Sequence, residues 1–472
     1  MAKLSHSLRI GLLLVVLFVM VTVPIGAQAS VWQTGLNFQN LSFGPEDTAT
    51  LQVEFFDGSG TVVATVERTG ILPGAGASIY VPGESSVPYG LFSGVVSSNQ
   101  PLAAVVNNVN RTDFVGDSYL GTRDVEVSQI VYAPLVYRNF NGYVTTLYVQ
   151  NVHSAAQQVS VSLTRSGEAL PAVTETYGIP AYASMEISLA DSAYAVFGTS
   201  AHGAATIEGA DGPVAVVVSY FRNPVAGTLD NIVGQYRGLS RESAATEIYA
   251  PLVFKRHSLW DSGISVVNVT DLPTTVTVEL YASAQSVHAG TVVTLTDTLD
   301  PKGAGSFYLP ALAQIPSPGF FGAARITSDQ DILVIVNNVK YPPGTHSVGS
   351  CYAPVTLAEA TDTVAGPLVY RNFGDADTGI NVQNLGTTET DIHLKFTAEN
   401  LPGIVYEFDL LGIPAGGSGT FYLPALIPAV PGMHGSALVT TSSGNPLAVV
   451  FNAPAYARGL SANYVGINVV KP

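Results

Sequence analysis

Apolar and polar residues alternate with a period of two through most of this chain, and the same alternating run returns four times. Leu51, Val53 and Phe55 are spaced by Gln52 and Glu54, and Val159, Val161 and Leu163 by Ser160 and Ser162. The third run sets Val276, Val278 and Leu280 against Thr277 and Glu279; the fourth sets Ile392, Leu394 and Phe396 against His393 and Lys395. One apolar face per run predicts a half-buried strand of an antiparallel sheet. A segment of fixed design precedes each run: Thr34-Gly-Leu-Asn-Phe-Gln-Asn-Leu41, Thr145-Thr-Leu-Tyr-Val-Gln-Asn-Val152, Ser262-Gly-Ile-Ser-Val-Val-Asn-Val269 and Thr378-Gly-Ile-Asn-Val-Gln-Asn-Leu385. Its asparagines, Asn40, Asn151, Asn268 and Asn384, recur about 115 residues apart, a domain-sized period well above that of solenoid repeats.

The rest of each copy stays in phase. A turn leads to a short strand, Ile79-Tyr80-Val81-Pro82, Glu186-Ile187-Ser188-Leu189, Phe307-Tyr308-Leu309-Pro310 or Phe421-Tyr422-Leu423-Pro424. Proline after such a strand restricts pairing to a strand end or an edge. A hairpin follows, whose second strand is an unbroken apolar run such as Leu102 to Val106 or Val214 to Val218. That pattern predicts a central strand covered on both sides. Between copies lie Ala133-Pro-Leu-Val-Tyr-Arg-Asn-Phe140, Ala250-Pro-Leu-Val-Phe-Lys-Arg-His257 and Gly366-Pro-Leu-Val-Tyr-Arg-Asn-Phe373, read as the first strands of copies two to four. Copy one has no equivalent, so it is expected to be a strand short or to be completed from elsewhere, for instance by a second copy.

About seven strands per hundred-odd residues, with regular turn signals and no helical periodicity, predict an all-β chain. The expected fold is four tandem immunoglobulin-like antiparallel β-sandwich domains, at 30–128, 129–246, 247–362 and 363–472. Ahead of them, 1–29 reads as a signal peptide: Lys3 and Arg9, then the apolar run Gly11 to Val23, then Ala27-Gln28-Ala29 as the small-x-small site. Cleavage near Ala29 makes the expected location extracellular or cell-surface. No second run of that kind occurs, and Val469 to Pro472 carries no hydrophobic tail or sorting motif.

A net charge of −16 argues against a nucleic-acid partner, because phosphate binding needs a basic face. The low charge content, 11%, with 47% hydrophobic residues is that of a folded chain. Cys351 is the one cysteine, so an exported chain of this kind holds its domains by their cores without internal disulfides.

The pattern Pro-Leu-Val-Tyr-Arg-Asn-Phe, Thr-Gly-Ile-x-Val-Gln-Asn-Leu, Gly-Ser-Ala and an Ala-Val-Val strand resembles tandem β-sandwich repeats of exported bacterial surface proteins of unassigned function. The resemblance covers nearly the whole mature chain and implies a cell-envelope or extracellular location, with stalk or adhesion roles.

Candidate chemistry is thin. The repeated asparagines read as turn-closing amides. Arg138, Lys255 and Arg371 are expected to pair or stack at domain junctions. His202 and His434 hold one position, near which the other copies have Phe92 and Phe321; this points to packing. Asp375 and Asp377 suggest a calcium loop but lack the later bidentate Glu, and a solvated turn is the expectation. Asn40-Leu-Ser42, Asn110-Arg-Thr112 and Asn268-Val-Thr270 match the glycosylation sequon. No Gly-x-Ser-x-Gly elbow, phosphate loop or dinucleotide fingerprint is present. The sequence therefore predicts no catalytic, cofactor or metal residues and no enzyme. It predicts a rod of sandwiches in a structural or adhesive surface role, with self-association, other surface proteins or glycans as partners. The alternative is a carbohydrate-binding array using Tyr80, Tyr308 and Tyr422, tyrosines whose strand context favours packing between sheets. A secreted hydrolase comes last.

Overall fold

The computed structural model describes residues 15–21 (backbone alone), 32–222, 229–428 and 432–469. Domain two shows the complete repeat: β1 (Ile130–Phe140), β2 (Tyr143–Asn151), β3 (Gln157–Arg165), β4 (Val173–Ile179), β5 (Ser184–Ser188), β6 (Ala201–Gly209), β7 (Val214–Arg222) and β8 (Ile232–Arg237). Strands β1-β6-β3-β4 form one antiparallel layer and β5-β2-β7-β8 the other. The other domains follow the same order, so the labels carry over. Their β8 strands are Val115–Leu120, Val348–Tyr352 and Asn463–Val465, and their β5 strands Gly76–Tyr80, Ala304–Tyr308 and Ser418–Tyr422. In domain three β6 and β7 form one continuous strand, Phe320–Lys340. The chain is thus all-β, built of four sandwiches. Each has these eight strand positions where about seven were expected, and in domains two, three and four a short extra strand, Leu239–Ser240, Val355–Thr356 or Ile467–Asn468, pairs with β1. The domains share with immunoglobulin domains the two-layer architecture but have their own strand order.

The Pro-Leu-Val segment owes its residues to a bulge. Register shifts in β1 between Ala133 and Val136, Ala250 and Val253, and Gly366 and Val369 fall on prolines, which have no N–H to leave unpaired. The freed leucine is held by a tyrosine of β8. Tyr236 Oη donates to Leu135 O at 2.6 Å and accepts from Leu135 N at 3.1 Å. Tyr352 does the same at Leu252, and Tyr464 at Leu368.

Domain one was expected to be a strand short or to be completed from elsewhere, and its β1 position is filled by a segment from ahead of the domain. Val15–Val21 pairs antiparallel with Gly90–Ser98, Val15 opposite Val96 and Val21 opposite Gly90. A valine-rich run placed beside an open sheet edge satisfies the backbone groups of that edge. The run belongs to the expected leader, whose remaining features, Lys3, Arg9 and Ala27-Gln28-Ala29, lie outside the described residues.

The expected rod gives way to a closed ring. In β7 of each domain one set of apolar residues enters its own core and the alternate set enters the preceding domain. Val214, Val216 and Val218 lie in the core of domain two, whereas Ala215 and Val217 join that of domain one. Leu333 and Ile335 of domain three likewise join domain two, and Ala448 and Val450 of domain four join domain three. Val105 of domain one packs into domain four, closing the circle. This seam also carries Gln39 Nε2 to Ala437 O at 3.2 Å and Asn107 Nδ2 to Tyr370 Oη at 3.2 Å. One heterologous contact repeated through four domains closes because the rotation between neighbours comes full circle.

Candidate functional site

The four β8 strands converge at the centre of the ring. Ser118, Gln235, Cys351 and Asn463 hold the same place, one residue before the tyrosine that binds β1. The carboxylate of Asp117, wholly buried, sits among their four backbone N–H groups. Gln235 N donates to Asp117 Oδ2 at 2.8 Å and Cys351 N at 3.1 Å. Burial pushes the Asp117 carboxyl well above its ordinary value, against the pull of those four donors. A single side chain from domain one thus bonds backbone of domains two and three, while its Oδ1 is buried without a hydrogen-bond partner. Close approach here also requires Gly349, where a Cβ would lie 2.2 Å from Ile232 Cγ2. Cys351 is buried, its thiol donating to Tyr220 Oη at 3.0 Å; burial raises its pKa well above the usual value, so it is not a reactive thiolate.

Two residues further along the same strands, the hub opens into a cavity of about 250 Å³ lined by Leu120, Arg237, Ala353 and Val465 among others. Glu126 there receives both Arg123 and Arg237. Burial, with the neighbouring Arg123, draws the Arg237 guanidinium down to about 10.

Most polar residues singled out from the sequence are consumed by the repeat. Asn384 Nδ2 donates to Thr388 O at 2.8 Å and Ile413 O at 3.0 Å, while its Oδ1 accepts from Gly386 N at 2.9 Å. Asn40, Asn151 and Asn268 make the equivalent bonds. These amides are fully buried, so the sequons at Asn40 and Asn268 are inaccessible in the folded chain; Asn110, buried too, donates to Asp113 Oδ2 at 2.7 Å.

Arg138, Lys255 and Arg371 were expected to act across domain junctions, and instead they work inside their own domains. Arg138 donates to Gly198 O at 2.8 Å, Lys255 Nζ to Leu312 O at 2.6 Å and Ile315 O at 2.9 Å, and Arg371 Nε to Ile427 O at 2.9 Å. The turn after β5 ends in carbonyls facing inward, and a buried cation is what satisfies them. Asp377 accepts from Arg371 at 3.0 Å and from Asn372 N at 2.7 Å, and Asp375 pairs with Arg458 at 3.2 Å. Both carboxylates are occupied by donors. Among the described residues no cluster of three or more His, Cys, Asp or Glu could hold a metal ion.

The seams between domains hold what the repeat does not consume. At the end of β1, rings stack in a fixed pattern: Tyr137, Phe140 and His202 in domain two, Phe254, His257 and Phe321 in domain three, Tyr370, Phe373 and His434 in domain four. His202, Phe321 and His434 therefore pack as aromatic rings, whereas the domain-one residue at their place is Ser93, not Phe92. Facing these ladders across the seams are the β5 tyrosines. The expectation that they lie between sheets is overturned: Tyr80, Tyr308 and Tyr422 are 49%, 54% and 56% exposed. The alternation of β5 turns Ile79, Phe307 and Phe421 inward, which forces the adjoining tyrosines out.

The seam of domains three and four forms a groove of about 460 Å³. Trp260 floors it and donates Nε1 to Tyr456 Oη at 3.2 Å. Lys340 lies over the Tyr456 ring, 4.0 Å from its centroid. Tyr422 and Tyr456 stand exposed at the walls, and Asn381, Asn452 and Asp377 supply polar atoms. The Asn452 Oδ1 is buried and meets no hydrogen-bond partner. At the seam of domains four and one, Tyr80 faces Tyr370, Phe373 and His434 across a groove of about 440 Å³. The seam of domains two and three is shut, with Tyr143 Oη 2.5 Å from Tyr341 Oη and Arg222 over both rings. The sequence offered one signal for these grooves, the repeated Phe-Tyr-Leu-Pro; it offered none for Trp260 or Tyr456, which occur in single copies.

No helix among the described residues is long and apolar enough to cross a membrane. No protein-family profile matches the chain, and no curated protein matches it. Among solved structures, the crystal structure of Thermotoga maritima 1070 aligns at 10% identity with a TM-score of 0.20, covering 23% of this chain and 92% of that one.

Proposed function

We propose that this chain is an exported, non-enzymatic structural or adhesive protein of the cell surface, working as a rigid ring that presents its seams and loops. The observation that carries this reading is the way the repeat uses its polar residues. The asparagine amides, the β8 tyrosines, the buried cations and Asp117 all bond backbone. A rigid platform free of disulfides suits display under load. Fractionation of the source cells tests it: the protein should stay with washed cells or appear in the medium. Recovery in the cytoplasm alone overturns it.

The half-exposed tyrosines favour a second reading, a carbohydrate-binding array in which Tyr80, Tyr308 and Tyr422 serve as stacking platforms. A glycan array probed with the full chain separates the two, since a pure scaffold leaves every spot blank.

A further inference from the structure

The geometry points to the groove between domains three and four as a binding site for neutral oligosaccharides, with a pyranose ring stacked between Tyr422 and Tyr456. This inference rests on the carbohydrate-binding reading and assigns it to one seam. A pyranose has an apolar face of C–H groups and an edge of hydroxyls, so its site needs an aromatic plane beside convergent acceptors and donors. The groove has both. Tyr422 and Tyr456 are 56% and 43% exposed, and both line the groove. The Asn452 Oδ1 is an acceptor with no donor among the described residues, on a residue that lines the groove, and a ligand hydroxyl is the kind of donor it lacks.

Charge narrows the ligand further. Asp375 and Asp377 border the groove on a chain of net charge −16, which disfavours uronic and sialic acids. Lys340, the near cation, is engaged by the rings of Tyr456 and Trp260. A groove of about 460 Å³ open along a seam suits a short run of sugar units on a longer chain.

Two tryptophans occur in the sequence, Trp32 and Trp260, and Trp260 reports directly because its indole is bonded to Tyr456. The full chain is titrated with cellohexaose, xylohexaose, mannohexaose and chitohexaose while tryptophan emission is followed. At least one should give a saturable change, weakened tenfold or more in Tyr422→Ala and in Tyr456→Ala, and unaltered in Tyr89→Ala, an exposed tyrosine of domain one that lines neither groove. Binding that persists undiminished in both groove variants overturns this site and leaves the carbohydrate reading standing. Binding of an oligogalacturonate with none of the neutral sugars overturns the ligand class. No binding by any sugar removes the carbohydrate reading together with the site.

Discussion

The hub and the seams are made by the same repeat and could hardly differ more. At the hub one buried carboxylate lies where the β8 strands of all four domains meet, and it accepts from the backbone of two of them. At the seams the contributions diverge: one is shut by a Tyr143–Tyr341 contact, and two stay open with different linings. Positions that close the ring are bound by the geometry of four partners at once. Positions at the rim face one neighbour and water, so they are free to vary, and variation is what a binding surface needs.

Breaking the apolar seal behind the groove should have the largest effect. Val450 is fully buried against domain three, and Val450→Lys would place an unpaired charge there, costing roughly 3–5 kcal/mol. Small-angle scattering should then show a larger radius of gyration as the ring opens. An unchanged particle would mean that the four domains are held by the hub alone.

Next comes the hub itself. Asp117→Ala strands the buried N–H groups of Gln235 and Cys351 and should cost about 3 kcal/mol in urea unfolding. Asp117→Asn keeps an acceptor and should cost much less. The two forms also separate with pH. Because burial raises the Asp117 carboxyl, the folded ring keeps a proton that the unfolded chain releases at about pH 3.9. Its contribution is complete below that value and is lost as pH rises through the folded pKa. The stability of the native chain relative to Asp117→Asn should therefore fall between pH 4 and neutrality; a flat difference would mean that its backbone donors keep the carboxylate ionised.

A smaller loss, about 1 kcal/mol, is expected for Tyr464→Phe, which removes the 2.7 Å bond to Leu368 O. Tyr236→Phe and Tyr352→Phe should match it, since they do the same work at Leu135 and Leu252. Unequal losses would show that the domains are not energetically alike. Smallest of all, Tyr422→Ala and Tyr308→Ala should move stability by no more than about 0.5 kcal/mol. A large loss on thermal unfolding would return these side chains to a structural role and weaken the contrast of rim and hub.

Much of the single domain was legible because its rules are local. The two-residue alternation gave the strands, the Pro-Leu-Val segment gave β1, and the closing asparagine gave the turn that its amide indeed ties together. Arg138, Lys255 and Arg371 were harder: a cation after a buried strand looks alike whether its partner lies across a junction or 56 to 60 residues along in its own domain. The β5 tyrosines were misread because a residue beside a proline-ended strand carries no mark of which side faces out.

The apolar run of β7 shows the division most clearly. From Leu102 to Val106 and from Val214 to Val218 the sequence by itself determined that both faces of the strand must be covered, since no polar residue interrupts them. It could not say by what. That the cover is the neighbouring sandwich, that four such contacts close into a ring, and that Asp117 ends up at the centre were decided by the tertiary structure alone. Burial is a demand each residue makes locally, while the surface that meets it depends on rotations between whole domains.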